Sequence, residues 1–315
     1  MFQGIRVIDC HAHFPVRNEP AAESSPSAGA QMPEAIRQYN AERMQRMRSE
    51  WDFPDPQPPA ATQEEVRAYA DAFVADMDRW GVERMIWVTG GGNERLSSIA
   101  HLRPQRFSWL SHEPLYAPDA LEKLKWAVEE GGARGVKMFG PGFPMPFEDP
   151  SLRPIWTYLA DRKLPVLIHF GTLGHGGGVV YHPRMSPLTI DPIAREFTDI
   201  PFIIPHFGCS YMWDALQLCW ALPNIYIDTS GSNQWMEWMP WPMDVESAFR
   251  KYYERIGPER LLFGTDSSWR PRGFVGRYLE DQVRAVRHMH WPEEHIQLVF
   301  AGNAARLFHL DGEEA

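Results

Sequence analysis

Five side chains in this sequence have the types and placement needed to hold a metal ion. His11 and His13 are spaced i, i+2 just after an apolar run, Ile5–Asp9. In an extended segment alternate residues point the same way, so both imidazoles can approach one ion. His169 ends the run Pro165–Phe170, His206 lies at the end of Phe202–Phe207, and Asp266 ends Leu261–Asp266. Three histidines and a carboxylate make an N3O donor set. Such a set suits a borderline divalent ion, zinc first, with manganese or iron(II) as alternatives. A histidine pair by itself is more often solvated or packed in a core; five polar residues at four strand ends carry the reading. Lys137, in Gly135-Val136-Lys137-Met138-Phe139, belongs to the same group of strand residues. Arg270 and Arg272 follow Asp266 and could grip a substrate carboxylate through a bidentate fork, or form surface ion pairs.

These residues need a scaffold that brings strand ends to one mouth. Short apolar runs alternate with helical patterns along the chain: strands over 5–9, 85–88, 107–111, 135–139, 166–170, 202–207, 225–229 and 261–266. Helices are expected over Gln63–Trp80, with Thr62 and Glu65 forming a capping box, and over Pro118–Glu130, Leu152–Arg162, Pro192–Phe197, Trp213–Ala221 and Tyr278–Met289. Eight strands separated by crossovers imply an α/β fold with a parallel sheet, closed as a distorted (β/α)8 TIM barrel. The competing open doubly wound sheet wants a glycine-rich turn after an early strand, and Cys10-His11-Ala12-His13 is not one.

The whole chain, 1–315, reads as a single barrel domain with an insertion over 14–61 after the first strand. The insertion holds Pro15, Pro20, Pro26, Pro33, Pro54, Pro56, Pro58 and Pro59, and a helical stretch Glu34–Glu50 with Arg37, Arg43, Arg46 and Arg48. It is expected to hang over the barrel mouth, or else to be a surface decoration or an oligomer contact. A second irregular loop, 231–244, carries Trp235, Trp238 and Trp241. It could wall a pocket, close as a lid, or form the contact of a homodimer.

Composition narrows the function. Lys and Arg total 31 against 41 Asp and Glu, a net charge of −10. That excludes a basic face for nucleic acid and opposes binding to anionic membranes, leaving a small molecule as the expected partner. The three cysteines, Cys10, Cys209 and Cys219, cannot build a disulfide framework, which fits reduced thiols and a cytoplasmic setting. There is no apolar run long enough to span a membrane, and the first residues do not read as a secretory signal.

The chain resembles the amidohydrolase superfamily, and within it the amidohydrolase-related branch that includes aminocarboxymuconate-semialdehyde decarboxylase. The resemblance is carried by Ile8-Asp9-Cys10-His11-Ala12-His13, Ile168-His169, Pro205-His206-Phe207-Gly208, 224–230 (NIYIDTS), Leu262-Phe263-Gly264-Thr265-Asp266 and 302–308 (GNAARLF), in the family's order. It implies a metal-dependent hydrolase acting on an ester, lactone or amide, with a nonoxidative decarboxylase as the alternative. It also implies that His11, His13, His169 and Asp266 hold one metal, with water in the remaining position. His206 then acts as general acid/base or orienting group, and Asp266 takes a proton from the water. Lys137 is either a carboxylated bridge between two metals, as in binuclear relatives, or an ammonium near the mouth; the single-metal arrangement is the expectation.

Among the lesser candidates, His112 and Glu113 end the third strand. His175 and His182 lie near a glycine-rich stretch. Cys10 is expected on the opposite face of the strand from the ligands, in the barrel wall, and Cys209 and Cys219 in the core. His288, His290, His295 and His309 are expected at the surface.

Overall fold

A computed structural model describes residues 1–17, 33–172 and 181–311. In chain order the elements are β1 (Ile8–His13), α1 (Glu34–Glu50), α2 (Gln63–Trp80), β2 (Arg84–Thr89), α3 (Asn93–Leu102), β3 (Phe107–Trp109), α4 (Ala120–Glu129) and β4 (Val136–Phe139). There follow α5 (Arg153–Asp161), β5 (Val166–His169), α6 (Asp191–Glu196), β6 (Phe202–Ile204), α7 (Met212–Ala221), β7 (Ile225–Asp228), α8 (Val245–Ile256), β8 (Leu261–Leu262), α9 (Gly276–His288), α10 (Glu293–Gln297) and α11 (Asn303–Leu307).

All strand pairs are parallel, in the order β1-β2-β3 and β4-β5-β6-β7-β8. Backbone hydrogen bonds close both gaps. Ser111 N donates to Gly135 O (2.9 Å) and Lys137 N to Ser111 O (2.8 Å), joining β3 to β4. Cys10 N donates to Phe263 O (3.0 Å), Asp266 N to His11 O (2.8 Å) and His13 N to Ser267 O (2.7 Å), joining β1 to the chain beyond β8. The result is the expected (β/α)8 barrel, its last strand reduced to two ladder residues and continued by single bonds.

Inside the barrel, Ile8, Ile86, Val88, Leu110, Leu167, Ile203 and Leu262 pack as one buried layer. The C-terminal segment closes this layer with Ala301, Ala304, Ala305, Leu307, Phe308 and Leu310. Asn303 anchors that plug, its amide donating to Pro258 O (2.7 Å) and Leu261 O (2.8 Å). Residues two positions along a strand share a face. His169 therefore rises above Leu167, Asp228 above Tyr226, and Gly264 and Asp266 above Leu262. Lys137 pairs in register with Leu167 and also points inward.

The first strand runs over 8–13 rather than 5–9, so both histidines lie within it. Between Asp9 and Ala12 three steps on β1 match two on β2, a register shift that sends Cys10 and His11 to the same side. Cys10 consequently packs in the barrel interior with Ile8 and Ile86, where alternation from Ile8 puts it, and not in the wall, where counting from the histidines puts it; the bulge is what lets His11 share that side. Helices α3 and α8 were not expected from the sequence; α3 carries Asn93 and the pair Ser97-Ser98, which mask its period.

In the described part of the insertion, α1 buries none of its residues. The stretch after it packs near the continuation of β8. Phe53 lies 6.1 Å from Trp269 and Trp51 lies 5.4 Å from Tyr278, ring centre to ring centre. Gln57 N donates to Arg270 O (2.6 Å). In the loop after β7, Trp235 is buried, while Trp238 and Trp241 are exposed. The three cysteines are free and buried. No helix among the described residues is long and apolar enough to cross a membrane.

Candidate metal centre

His11, His13 and Asp266 offer ligand atoms within 4.8 Å of one another. Asp266 Oδ1 is 3.0 Å from His13 Nε2 and 3.9 Å from His11 Nε2. His11 is fully buried, His13 and Asp266 partly so, as a cluster at a mouth requires. Asp266 sits at φ 57°, a left-handed turn off the strand, and its backbone is tied to His11. Gly264 permits this approach: a Cβ there would meet His11 Cβ at 3.0 Å and Ser230 Cβ at 2.9 Å.

Hydrogen bonds behind the cluster fix which ring nitrogens carry protons. His11 Nδ1 is 2.8 Å from Asp228 Oδ2, and a carboxylate only accepts. His11 therefore holds its proton on Nδ1 and turns a lone pair on Nε2 towards Asp266 and His13. The Ser230 hydroxyl donates to Asp228 Oδ1, so it accepts from His206 Nδ1 (2.9 Å), as does Ser230 O (3.1 Å). His206 Nε2 is then an acceptor, 3.2 Å from His169 Nδ1. His169 in turn carries its proton on Nδ1, and its Nε2 is buried with no hydrogen-bond partner among the described residues. A buried, bare imidazole nitrogen is what a metal ligand presents when its second nitrogen is held by a neighbour. The His13 Nδ1 contact to Thr89 Oγ1 (2.5 Å) supplies the same support for that ring.

The donor set thus fits a borderline divalent ion. His169 stands outside the tight His11, His13, Asp266 group, beside His206. A second group, His11, His206 and Asp228, also gathers within 4.8 Å. Its Nδ1 atoms and carboxylate are already engaged with one another and with Ser230, so these side chains form a hydrogen-bond network behind His11 and His169.

Electrostatics agree with neutral ligands and an ionised carboxylate. Burial, then the charge of Lys137, pushes His11 down to about 3. Burial likewise lowers His13 and drives His169 well down. Burial opposes ionisation of Asp266, but the hydrogen bond to His13 and the charge that His13, His206 and His11 carry when protonated outweigh it and hold this carboxyl well below its ordinary range, so the carboxylate and these rings share their protons as a coupled group. Asp228 is held low in the same way by His11. Burial brings Lys137 down to about 8, with Asp228 and Asp266 opposing. Its Nζ lies 3.5 Å from His11 Nε2 and 4.9 Å over the Phe139 ring.

Asp228 and Ser230 went unassigned in the sequence reading, as did Asp9. The fully buried Asp9 accepts from His11 N (3.1 Å), Thr265 N (3.0 Å) and the Thr265 hydroxyl, binding β1 to the segment that carries Asp266. Burial raises Asp9 to about 7. The signal for Asp228 was present: it is a carboxylate ending an apolar strand, as Asp266 is.

The two arginines separate. Arg270 Nη1 pairs with Asp76 on α2 at 2.5 Å, and the guanidinium covers the Phe73 ring, so it fastens a helix to the barrel rim. Arg270→Ala is expected to cost on the order of 1–3 kcal/mol of stability and leave metal content unchanged, as measured by thermal unfolding and metal analysis. Arg272 lies closer to the cluster. Its Nη2 donates to Asp266 O (3.2 Å) and Ser268 Oγ (3.0 Å), and the group stacks 3.3 Å over Trp269.

His112 and Glu113 line a cleft that starts at Lys137. Of the other histidines, His288 pairs with Glu246 (2.6 Å) and His295 with Tyr253 (2.6 Å). His182 Nδ1 accepts from Arg184 N (3.2 Å), while His175 lies outside the described residues.

Burial also lowers His112, to about 4, against the hydrogen bond to Lys137 O, which opposes the shift, and with the smaller help of the Lys137 charge. Unfolded histidines titrate near 6.5. Between about 6.5 and 4 the unfolded chain binds protons that folded His112 and His11 do not. Buried Asp9, raised to about 7, takes up a proton on the folded side over part of the same range and offsets one histidine, so the stability of metal-free protein falls on balance as the pH drops from about 6.5 towards 4. Urea unfolding at stepped pH checks this, and His112→Phe is expected to flatten part of the slope.

The sequence profile of the amidohydrolase family matches residues 8–310. The chain belongs to the amidohydrolase family. It is thus an amidohydrolase-superfamily enzyme, and a search of curated proteins finds no match. Among solved structures, this amidohydrolase is similar to 2,6-dihydroxybenzoate decarboxylase from Rhizobium, with a TM-score of 0.64 and 18% identity over 98% of this chain and 100% of that one. A dihydroxybenzoic acid decarboxylase from Polaromonas, solved with manganese and 2-nitroresorcinol, gives 0.62 and 17% over 98% of each chain. A probable 2-pyrone-4,6-dicarboxylic acid hydrolase from Acinetobacter baumannii, with citric acid bound, gives 0.60 and 15% over 97% and 100%. At these identities the likeness concerns the fold.

Proposed function

We propose that this amidohydrolase is a single-metal hydrolase that adds water to an ester, lactone or amide of a small, carboxylate-bearing molecule. His11, His13, His169 and Asp266 would hold the ion, zinc in this reading, with manganese or iron(II) as alternatives. When bound, the ion supplies Lewis acidity, polarising a carbonyl and acidifying water. The observation that supports hydrolysis is the placement of Asp266: a partly exposed carboxylate at the mouth, 3.0 Å from His13 Nε2, is positioned to take a proton from attacking water. His206 orients His169 through its Nε2 and stands within the same network as a proton relay. Lys137 faces the cleft from beside His11 and would steady negative charge on the substrate or on the oxygen that develops it. Arg272, stacked beside Asp266, is the arginine we assign to the substrate carboxylate; Arg270 is committed to Asp76.

Nonoxidative decarboxylation of an aromatic or unsaturated acid is the second reading. It is favoured by the aromatic cleft next to Lys137 and by the decarboxylases among the similar folds. Metal-loaded protein assayed against lactones and esters beside carboxylated aromatics separates the two. Hydrolysis without CO2 release is expected; CO2 release without hydrolysis would reverse the order.

A further inference from the structure

A cleft open to solvent begins at Lys137 and runs past His112 to Phe143. Phe139, Phe143 and Tyr116 line it, and Tyr116 meets Phe143 edge-on at 5.6 Å. Such walls favour a flat ring. One polar group in this cleft has its donor and acceptor roles fixed by geometry. His112 Nδ1 lies 3.2 Å from Lys137 O, and a carbonyl only accepts, so the proton sits on Nδ1. The ring is further held by Phe139, 5.4 Å away and edge-on, and by its own backbone N–H donating to Asn93 Oδ1 (2.9 Å). Its Nε2 is left as a lone pair without a hydrogen-bond partner among the described residues, on a side chain that lines the cleft.

We propose that His112 determines specificity by presenting this bare Nε2 to the substrate, accepting a hydrogen bond from a hydroxyl or other proton-bearing substituent on a planar ring seated against Phe139 and Phe143. This deepens the small-molecule reading of the site and rests on it only in taking the cleft as the substrate's seat. His112 acts on recognition, not on the reacting atoms. Desolvation keeps the imidazole neutral at physiological pH, consistent with an acceptor.

The test is direct binding, by calorimetry, of the three hydroxybenzoate isomers against the three fluorobenzoate isomers to the metal-loaded protein. Fluorine is close to hydroxyl in size and carries no proton. At least one hydroxybenzoate is expected to bind roughly fivefold more tightly than its fluoro partner, the worth of one neutral hydrogen bond. His112→Phe keeps a ring against Phe139 and is expected to erase that preference with metal content unchanged. His112→Gln, which retains an acceptor, is expected to keep part of it. A wild-type protein with no preference, binding of none of the six, or an undiminished preference in His112→Phe would each overturn the proposal. If His112→Phe fails to fold, loss of the preference in His112→Gln overturns it and retention supports it. Binding is read without turnover, so a failure of the hydrolase reading leaves this result unaffected.

Discussion

A His11→Ala variant is expected to purify without its divalent ion, to be inactive against every substrate the wild type turns over, and to be less stable. Two losses coincide. The Nε2 lone pair that faces Asp266 and His13 disappears, and with it the most buried ligand of the set. Asp228 Oδ2 also loses the Nδ1–H that it accepts from at 2.8 Å, both side chains being fully buried. Leaving a buried acceptor without its donor costs about 1–3 kcal/mol. Metal analysis, activity and urea unfolding check the three parts. Full activity in this variant would remove His11 from the site.

Asp228→Asn has the next largest expected effect, and it isolates support from ligation. Asp228 Oδ2 accepts from His11 Nδ1, while Oδ1 accepts from His206 N (3.2 Å), Ser230 N (2.9 Å) and the Ser230 hydroxyl. An asparagine has one acceptor oxygen and one donating amide, so it opposes donor to donor on one side or the other. Metal affinity is expected to fall about 10–100-fold, the usual effect of losing the group behind a ligating histidine. Competition with a chelator measures this. Unchanged affinity would mean that the His11 tautomer needs no help from β7.

Much of this arrangement was legible in the chain because strand periodicity and strand-end polarity are local signals. Eight apolar runs, and the histidines and aspartate at their ends, follow from the requirement that a barrel interior be apolar below and chemical at its mouth. The capping box at Thr62 and Glu65 and the whole of Gln63–Trp80 are present as read. What escaped depends on pairing between distant segments. The register shift after Asp9 exists only against β2, so the sharing of one side by Cys10 and His11 had no trace in alternation. Asp9, Asp228 and Ser230 act on backbone and ring nitrogens over 200 residues away in sequence, or on neighbours only the closed barrel supplies. Arg270 could be separated from Arg272 only once α2 had brought Asp76 beside it. The end of β8 dissolves into single bonds because Gly264 lets the chain press against His11 instead of continuing a ladder.

The most direct measurement is a crystal structure of the metal-loaded protein with anomalous scattering recorded at the metal edge. One peak is expected, touching Nε2 of His11, Nε2 of His13, Nε2 of His169 and a carboxylate oxygen of Asp266. Two peaks bridged by Lys137, a peak held by other side chains, or a fully active enzyme with no peak would contradict that shared single site.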